Sequence, residues 1–245
     1  MKDKGGVGAS FNLVLLALYL DSKGVPYQPV DADLKSATLS DSITKKQVIQ
    51  VDFDRVDKKG RRQFDFILDL SYEHETLLVD LPAGSTSDFI PWSKTVDLGE
   101  QLQAEGLRIV LLCPVSSERD TLDDLLLITK GMETPEGNLS TDVGWIVTKS
   151  DHKGPLTAFE NSKTRLRLTD AGADEIFTPE LEPLIMEPLR AHRLNVSDAI
   201  EQMPGWPREK RLSTSDLIRL KKWRAGIFAQ YDTARNLQHL LVPAP

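Results

Sequence analysis

Lys4-Gly5-Gly6-Val7-Gly8-Ala9-Ser10 is the stretch on which the reading of the whole chain turns. Glycines at 5, 6 and 8 let a backbone bend without Cβ clashes, so successive N–H groups can point inward at an anion. The apolar run over residues 11–20 comes immediately after, and the helix it predicts would turn its positive amino end toward the same anion. Three glycines alone would read as a flexible loop. Lys4, Ser10 and the immediate apolar helix are what single this stretch out.

Around this segment the chain has 245 residues, 40% of them apolar, enough to bury a core without disulfide or metal staples. A charged fraction of 27% excludes wholesale disorder. Thirty basic against thirty-seven acidic residues give a net charge of −7, which excludes a uniformly basic nucleic-acid coat and leaves room for a local patch. The single Cys113 excludes an internal disulfide, a thiolate metal site and an iron–sulfur cage, and fits a cytoplasmic setting. Residues 11–20 are too few to span a bilayer. They run into Asp21-Ser22-Lys23-Gly24, a polar helix exit with glycine at the cap, where an export signal would carry a small-residue cleavage site.

Downstream, apolar runs end in acids. Residues 25–30 read as a short strand despite Pro26 and Pro29, delivering Val30-Asp31-Ala32-Asp33 to a sheet edge. Leu77-Leu78-Val79-Asp80 followed by Leu81-Pro82-Ala83-Gly84 is the pattern of a buried parallel strand with a carboxylate at its tip. Residues 48–53 and 107–114 read as further strands, residues 118–131 as a helix, and residues 143–148 as another strand. This alternation predicts βαβ units, hence an α/β fold with a doubly wound, mainly parallel sheet over residues 1–195. A helical extension over residues 196–245 packs on it.

Lys4-Gly5-Gly6-Val7-Gly8-Ala9-Ser10 resembles the deviant Walker A motif, K-G-G-x-G-K-[ST], of the ParA/MinD family of P-loop ATPases. The resemblance implies ATP or ADP with Mg²⁺ as cofactors, phosphate cradled by Gly5, Gly6, Val7, Gly8, Ala9 and Ser10, and magnesium held by Ser10 and Asp80. It also implies a homodimer sandwiching the nucleotide, in which Lys4 reaches the partner's phosphates. Asp31 falls twenty-two residues after Ala9, where the family carries its Asp-x-Asp switch, so Asp33 resembles the residue that orients the attacking water. Gly84 resembles the switch glycine that approaches the γ-phosphate. Thr148-Lys149-Ser150-Asp151 stands where the family reads adenine, and it also resembles a guanine-reading TKxD loop, so ATP and GTP both remain open. A polar strand exit explains the same four letters. The order from Asp33 through Arg61-Arg62-Gln63-Phe64-Asp65 to Ala83-Gly84-Ser85 and Phe89-Ile90-Pro91 is similar to the TraL/StbB-type branch of conjugative plasmids.

Two departures qualify the likeness. Ala9 stands where the family has its second lysine, removing the cation beside the β- and γ-phosphates and predicting impaired hydrolysis. Only Met1-Lys2-Asp3 precede the motif, so the first strand is expected to be missing; either the chain begins late or another segment fills the sheet's centre. The function implied is a nucleotide-dependent switch in plasmid partition, conjugative transfer or cargo positioning. The alternative is a non-hydrolysing scaffold acting through protein contacts. A nitrogenase-iron-protein relative shares the loop, and the lone Cys113 excludes its bridged cluster.

Near the end, Arg208, Lys210, Arg211, Arg219, Lys221, Lys222 and Arg224 stand against Glu209 and Asp216. From Ser213, with Asp216 as capping box, apolar residues recur at Leu217, Leu220, Trp223, Ile227, Tyr231, Ala234, Leu237 and Leu241, predicting one long amphipathic helix. It reads first as a helix docked on its own domain with a solvated basic face, and second as a non-specific DNA contact. His74, His152, His192 and His239 show no ligand spacing, so no metal beyond magnesium is expected.

Overall fold

The computed structural model describes residues 8–53, 63–134, 136–140, 142–192, 194–202, 207–208 and 211–241. Helix α1 (Ala9–Lys23) occupies the predicted apolar run. It opens at Gly8, whose φ of 82° lies in the left-handed region and whose carbonyl accepts both the backbone N–H and the side-chain amide of Asn12 at 2.9 Å. It closes at Gly24, with the Val25 N–H returning to the Leu20 carbonyl at 3.0 Å, the six-to-one bond of a Schellman cap. Residues 12–20 are all buried, so α1 is a core helix with no solvent face over that span. Each fully buried leucine in it contributes about 2 kcal/mol of transfer free energy. Among the described residues no helix is long and apolar enough to cross a membrane.

The fold is α/β, and among the described residues the strands form two three-stranded sheets, each wholly parallel. One has the order β2 (Ile49–Gln50), β1 (Gln28–Asp31), β3 (Leu77–Asp80); the other has β4 (Ile109–Val115), β5 (Val143–Lys149), β6 (Asp174–Phe177). Among the described residues no strand precedes α1. The predicted strand over residues 25–30 starts three residues late, because Val25 is spent on the cap of α1 and Pro26 comes next. Pro29 sits inside a central strand at no cost in hydrogen bonds. Its position faces β2, and that ladder begins only at the Val30–Ile49 pair. The strand predicted over residues 48–53 shrinks to β2, since β1 offers it only Val30 and Asp31.

Helical crossovers link the strands: α2 (Thr38–Ser42), α3 (Asp65–Ser71), α4 (Ser85–Thr95), α5 (Leu98–Ala104) and α6 (Arg119–Gly131), then α7 (Thr157–Glu160) and α8 (Lys163–Asp170). Two apolar clusters result. The first gathers α1, Leu78, Ile146 and Ile176 with the C-terminal helices α9 (Pro183–Ala191), α10 (Val196–Glu201), α11 (Thr214–Thr233) and α12 (Arg235–Leu241). The second holds Phe53, Phe64, Phe89 and Trp92, in ring contact at 5.0–5.5 Å, with Leu111, Cys113, Trp145 and Val147. Along β5, Trp145 and Val147 enter the second cluster and Ile146 the first, the period of two of a strand covered on both faces. Burial pushes the Cys113 thiol above its ordinary pKa, leaving it an inert core side chain.

The single C-terminal helix predicted from Ser213 is two helices. Ala234 turns to an extended ψ of 113°, and the Asp174 carboxylate accepts the N–H groups of Arg235 at 3.0 Å and Asn236 at 2.8 Å, starting α12 anew. The predicted capping box is present: the Ser213 hydroxyl accepts the Asp216 N–H at 3.1 Å.

Candidate functional site

Lys4, Gly5, Gly6 and Val7 lie outside the described residues. The residues next to them are arranged as a helix start should be for anion contact: Gly8 in the left-handed region, then Ala9 and Ser10, both buried, in the first turn of α1.

The acids stand at strand ends, and of them only Asp80 shares a cavity with this turn. Asp31 and Asp80 are register partners at the carboxyl ends of β1 and β3, and both are buried. The Asp31 carboxylate is satisfied locally: one oxygen accepts the Ser40 N–H at 2.9 Å and the Ser40 hydroxyl at 2.6 Å, the other the Asp33 N–H at 3.1 Å. Asp31 is therefore a clamp that ties the loop after β1 to α2. Asp33 accepts the Ser36 hydroxyl at 2.8 Å through its side chain and the Ala37 N–H at 2.8 Å through its carbonyl. Asp80, 4% exposed, lines one cavity together with Ala9, and its carbonyl accepts the Ala32 N–H at 2.9 Å. Beyond it, Gly84 at φ 87° opens α4, where any side chain would be strained. The Ser85 hydroxyl, 2% exposed, has no hydrogen-bond partner among the described residues. A buried hydroxyl left this way costs about 1–3 kcal/mol, which a ligand would recover.

The other sheet reaches the same helix end by a route that sequence reasoning missed. The Thr178 hydroxyl, just past β6, donates to the Asn12 side chain at 2.9 Å in a buried bond, and the Thr178 N–H donates to the Lys149 carbonyl at 2.8 Å. The carboxyl ends of both sheets thus converge on the first turn of α1. The signal in the letters was Asn12 itself, a polar residue inside an apolar run. Ser40 left no such mark.

Thr148 stands at the end of β5, on the sheet that does not carry the acids. It is 1% exposed, and its hydroxyl has no partner among the described residues. Lys149 is committed to Glu175, Nζ to Oε2 at 2.7 Å, while Arg165 grips the same carboxylate at 2.7 and 3.2 Å. Burial alone would raise the Glu175 carboxyl; the hydrogen bonds donated by Arg165 and Lys149 outweigh it and hold the group below the ordinary carboxylate range. The Ser150 hydroxyl pairs with His152 Nδ1 at 2.8 Å. These contacts are those of a polar strand exit.

The C-terminal basic stretch is docked on the body of the protein. Leu220, Ile227 and Tyr231 are buried, and Trp223 donates to the Pro179 carbonyl at 2.9 Å. Arg219 pairs with Asp216 at 2.9 Å, Arg224 donates to Ser197 at 3.2 Å, and Arg208, Arg211, Lys221 and Lys222 are exposed. Lys210 lies outside the described residues. Among the described residues no group of three His, Cys, Asp or Glu side chains could hold a metal by itself.

No protein-family model matches this chain, and no curated protein matches it.

Proposed function

We propose that the chain binds a nucleoside triphosphate with Mg²⁺ against the first turn of α1 and acts as a nucleotide-dependent switch of the kind the ParA/MinD resemblance implies. The observation that carries this reading is the convergence of both sheets' carboxyl ends on that turn, through the Ala9–Asp80 cavity on one side and the Asn12–Thr178 hydrogen bond on the other. In open α/β sheets, ligands bind in such a crevice. The finer fold proposed with it is one doubly wound sheet whose two halves flank α1.

The donor set suits the ligand. Magnesium is commonly held by one or two protein oxygens, with phosphate and water completing its shell, so Asp80 and Ser10 suffice without a three-carboxylate cluster. Bound there, the ion would neutralise phosphate charge. The amides of residues 8–10 and the Ser85 hydroxyl, which has no hydrogen-bond partner among the described residues, would bind phosphate oxygens, and Asp33 would orient water. Lys4 would serve a second copy across a homodimer, and the exposed arginines and lysines between Arg208 and Lys222 would give DNA a weak, salt-sensitive contact. Ala9 supplies no cation, which favours slow turnover. The same residue, apolar and lining an apolar cavity, favours the second reading, a non-hydrolysing scaffold.

Titration of ATP and GTP, with and without Mg²⁺, tests the proposal. Binding by the unmodified chain should need Mg²⁺ and weaken at least tenfold in Asp80→Asn, and Ala9→Lys should tighten binding about tenfold. If neither nucleotide binds at millimolar concentration to the unmodified chain or to Ala9→Lys, the nucleotide reading falls and the scaffold reading stands.

A further inference from the structure

The far end of α1 borders a second cavity, of about 420 Å³, which lies among the last turn of α1, the segment from Ser42 to Lys46, the start of α10 and the flank of α11. Ser22, in its lining, is about 18 Å along the helix from Ser10, so this space is separate from the one that Ala9 and Asp80 share. Apart from Leu18 and Ile43, every residue that lines it carries a charge, an amide or a hydroxyl. Most of the charges are paired: Lys46 with Asp21 at 3.0 Å and Lys45 with Glu201 at 2.9 Å. Two are not. The cation nearest to the Asp198 carboxylate is Lys45 at 4.0 Å, already held closer by Glu201, and among the described residues the Asp198 carboxylate accepts no hydrogen bond. Burial raises the Asp198 carboxyl above its ordinary pKa, and the Lys45 charge does not offset it. Arg224 donates one N–H to the Ser197 hydroxyl at 3.2 Å and lies over the Phe228 ring at 5.5 Å, and among the described residues it meets no carboxylate.

We propose that this cavity binds a small zwitterion with the chemistry of a free α-amino acid, its carboxylate on Arg224 and Ser197 and its ammonium on Asp198. The unmatched charges carry the assignment. Arg224 is bonded to Ser197, the residue before Asp198 on α10, so both charges line one space from neighbouring positions, yet among the described residues no ion pair joins them. A simple anion would satisfy Arg224 and add to the charge that Asp198 already carries without a partner; a simple cation would do the reverse. A ligand whose ammonium sits on the carbon next to its carboxylate answers both, and a planar guanidinium suits a carboxylate through two parallel hydrogen bonds. The rest of the wall, with the ion pairs of Lys45 and Lys46 and the hydroxyls of Ser22 and Thr44, selects a polar side chain. Bound there, the ligand ties α10 and α11 to the end of α1 and so strengthens the docking of the C-terminal helices. The site needs no nucleotide and stands or falls apart from the nucleotide reading.

The test is thermal unfolding and calorimetric titration of the full chain with the common polar α-amino acids. At about ten times its dissociation constant, a bound amino acid should raise the melting midpoint by about 3 °C. The N-acetyl and amide derivatives of the tightest one, each lacking one of the two charges, should bind about tenfold more weakly, and Asp198→Asn and Arg224→Gln should weaken binding of the parent amino acid by about the same factor. A derivative that binds as tightly as the parent, or variants that bind the parent unchanged, overturn the proposal, as does the absence of binding by every polar amino acid at about 10 mM. Should a variant fail to fold, titration of the unmodified chain followed by amide chemical shifts decides: movement of the Ser197 and Asp198 resonances supports the site, and resonances that stay in place overturn it.

Discussion

The two sheets are built to different standards. β4 and β5 pair over seven consecutive residues, their side chains alternate between two apolar clusters, and their polar end is locked by the Lys149–Glu175–Arg165 network. β1, β2 and β3 have four, two and four residues, and β1 and β3 end in buried Asp31 and Asp80. Long ladders in one half supply cohesion. Short strands in the other end in two buried acids, of which Asp80 shares a cavity with Ala9 at the amino end of α1. The candidate chemistry lies in the half with the smaller strand ladders, held in place by α1, which packs on both β3 and β4.

The largest effect expected is in the cohesive half. Trp145→Ala removes a fully buried indole and should cost about 4 kcal/mol. Urea unfolding followed by both far- and near-UV circular dichroism should show one transition, and two separated transitions would break the picture of halves joined through α1. Next comes Asp31→Ala, which strands the Ser40 N–H and hydroxyl and the Asp33 N–H; about 3 kcal/mol should be lost by chemical denaturation. A loss under ~1 kcal/mol would mean that the clamp is dispensable.

Glu175→Gln should cost about 2 kcal/mol at pH 7, since the fork from Arg165 and the Lys149 bond both lose their charged acceptor. The native carboxyl is held below its unfolded value, so its stabilisation is complete above pH ~4.3 and is lost as the pH falls through the lowered folded value. The gap between wild type and variant, read from denaturation midpoints across pH, should close in acid; a gap independent of pH would deny the ion pair its role. The smallest effect lies outside both sheets: Ser213→Ala removes the cap of α11 and should cost about 1 kcal/mol.

Much of the fold was legible because its causes are local. The apolar run, Gly8 and Gly24 specify α1 within a few residues, and β4, β5 and α6 arise from continuous apolar or helical patterns. One reading failed through a distant partner and another through a neighbouring cap. The predicted C-terminal helix breaks because Asp174, sixty residues upstream, captures two of its amides. Residues 25–27 leave the strand because a helix cap claims Val25. At the candidate site, Asp80 was legible as an acid ending an apolar run, and Asp33 and Gly84 were expected only from the family resemblance, whereas the roles of Ser40, Asn12 and Thr178 depend on what each one meets in space.

By itself the sequence determined the element types, the helix start at the glycine-rich turn and the acids at two strand ends, because helical and strand periods, caps and turn residues act over a few neighbouring positions. Tertiary structure decided the order of the described strands, their division into two parallel sheets, the cavity lined by α1, β3 and β4, and the bond that ties the end of β6 to α1. Pairing and packing join residues tens to more than a hundred positions apart, and no local pattern records those partners.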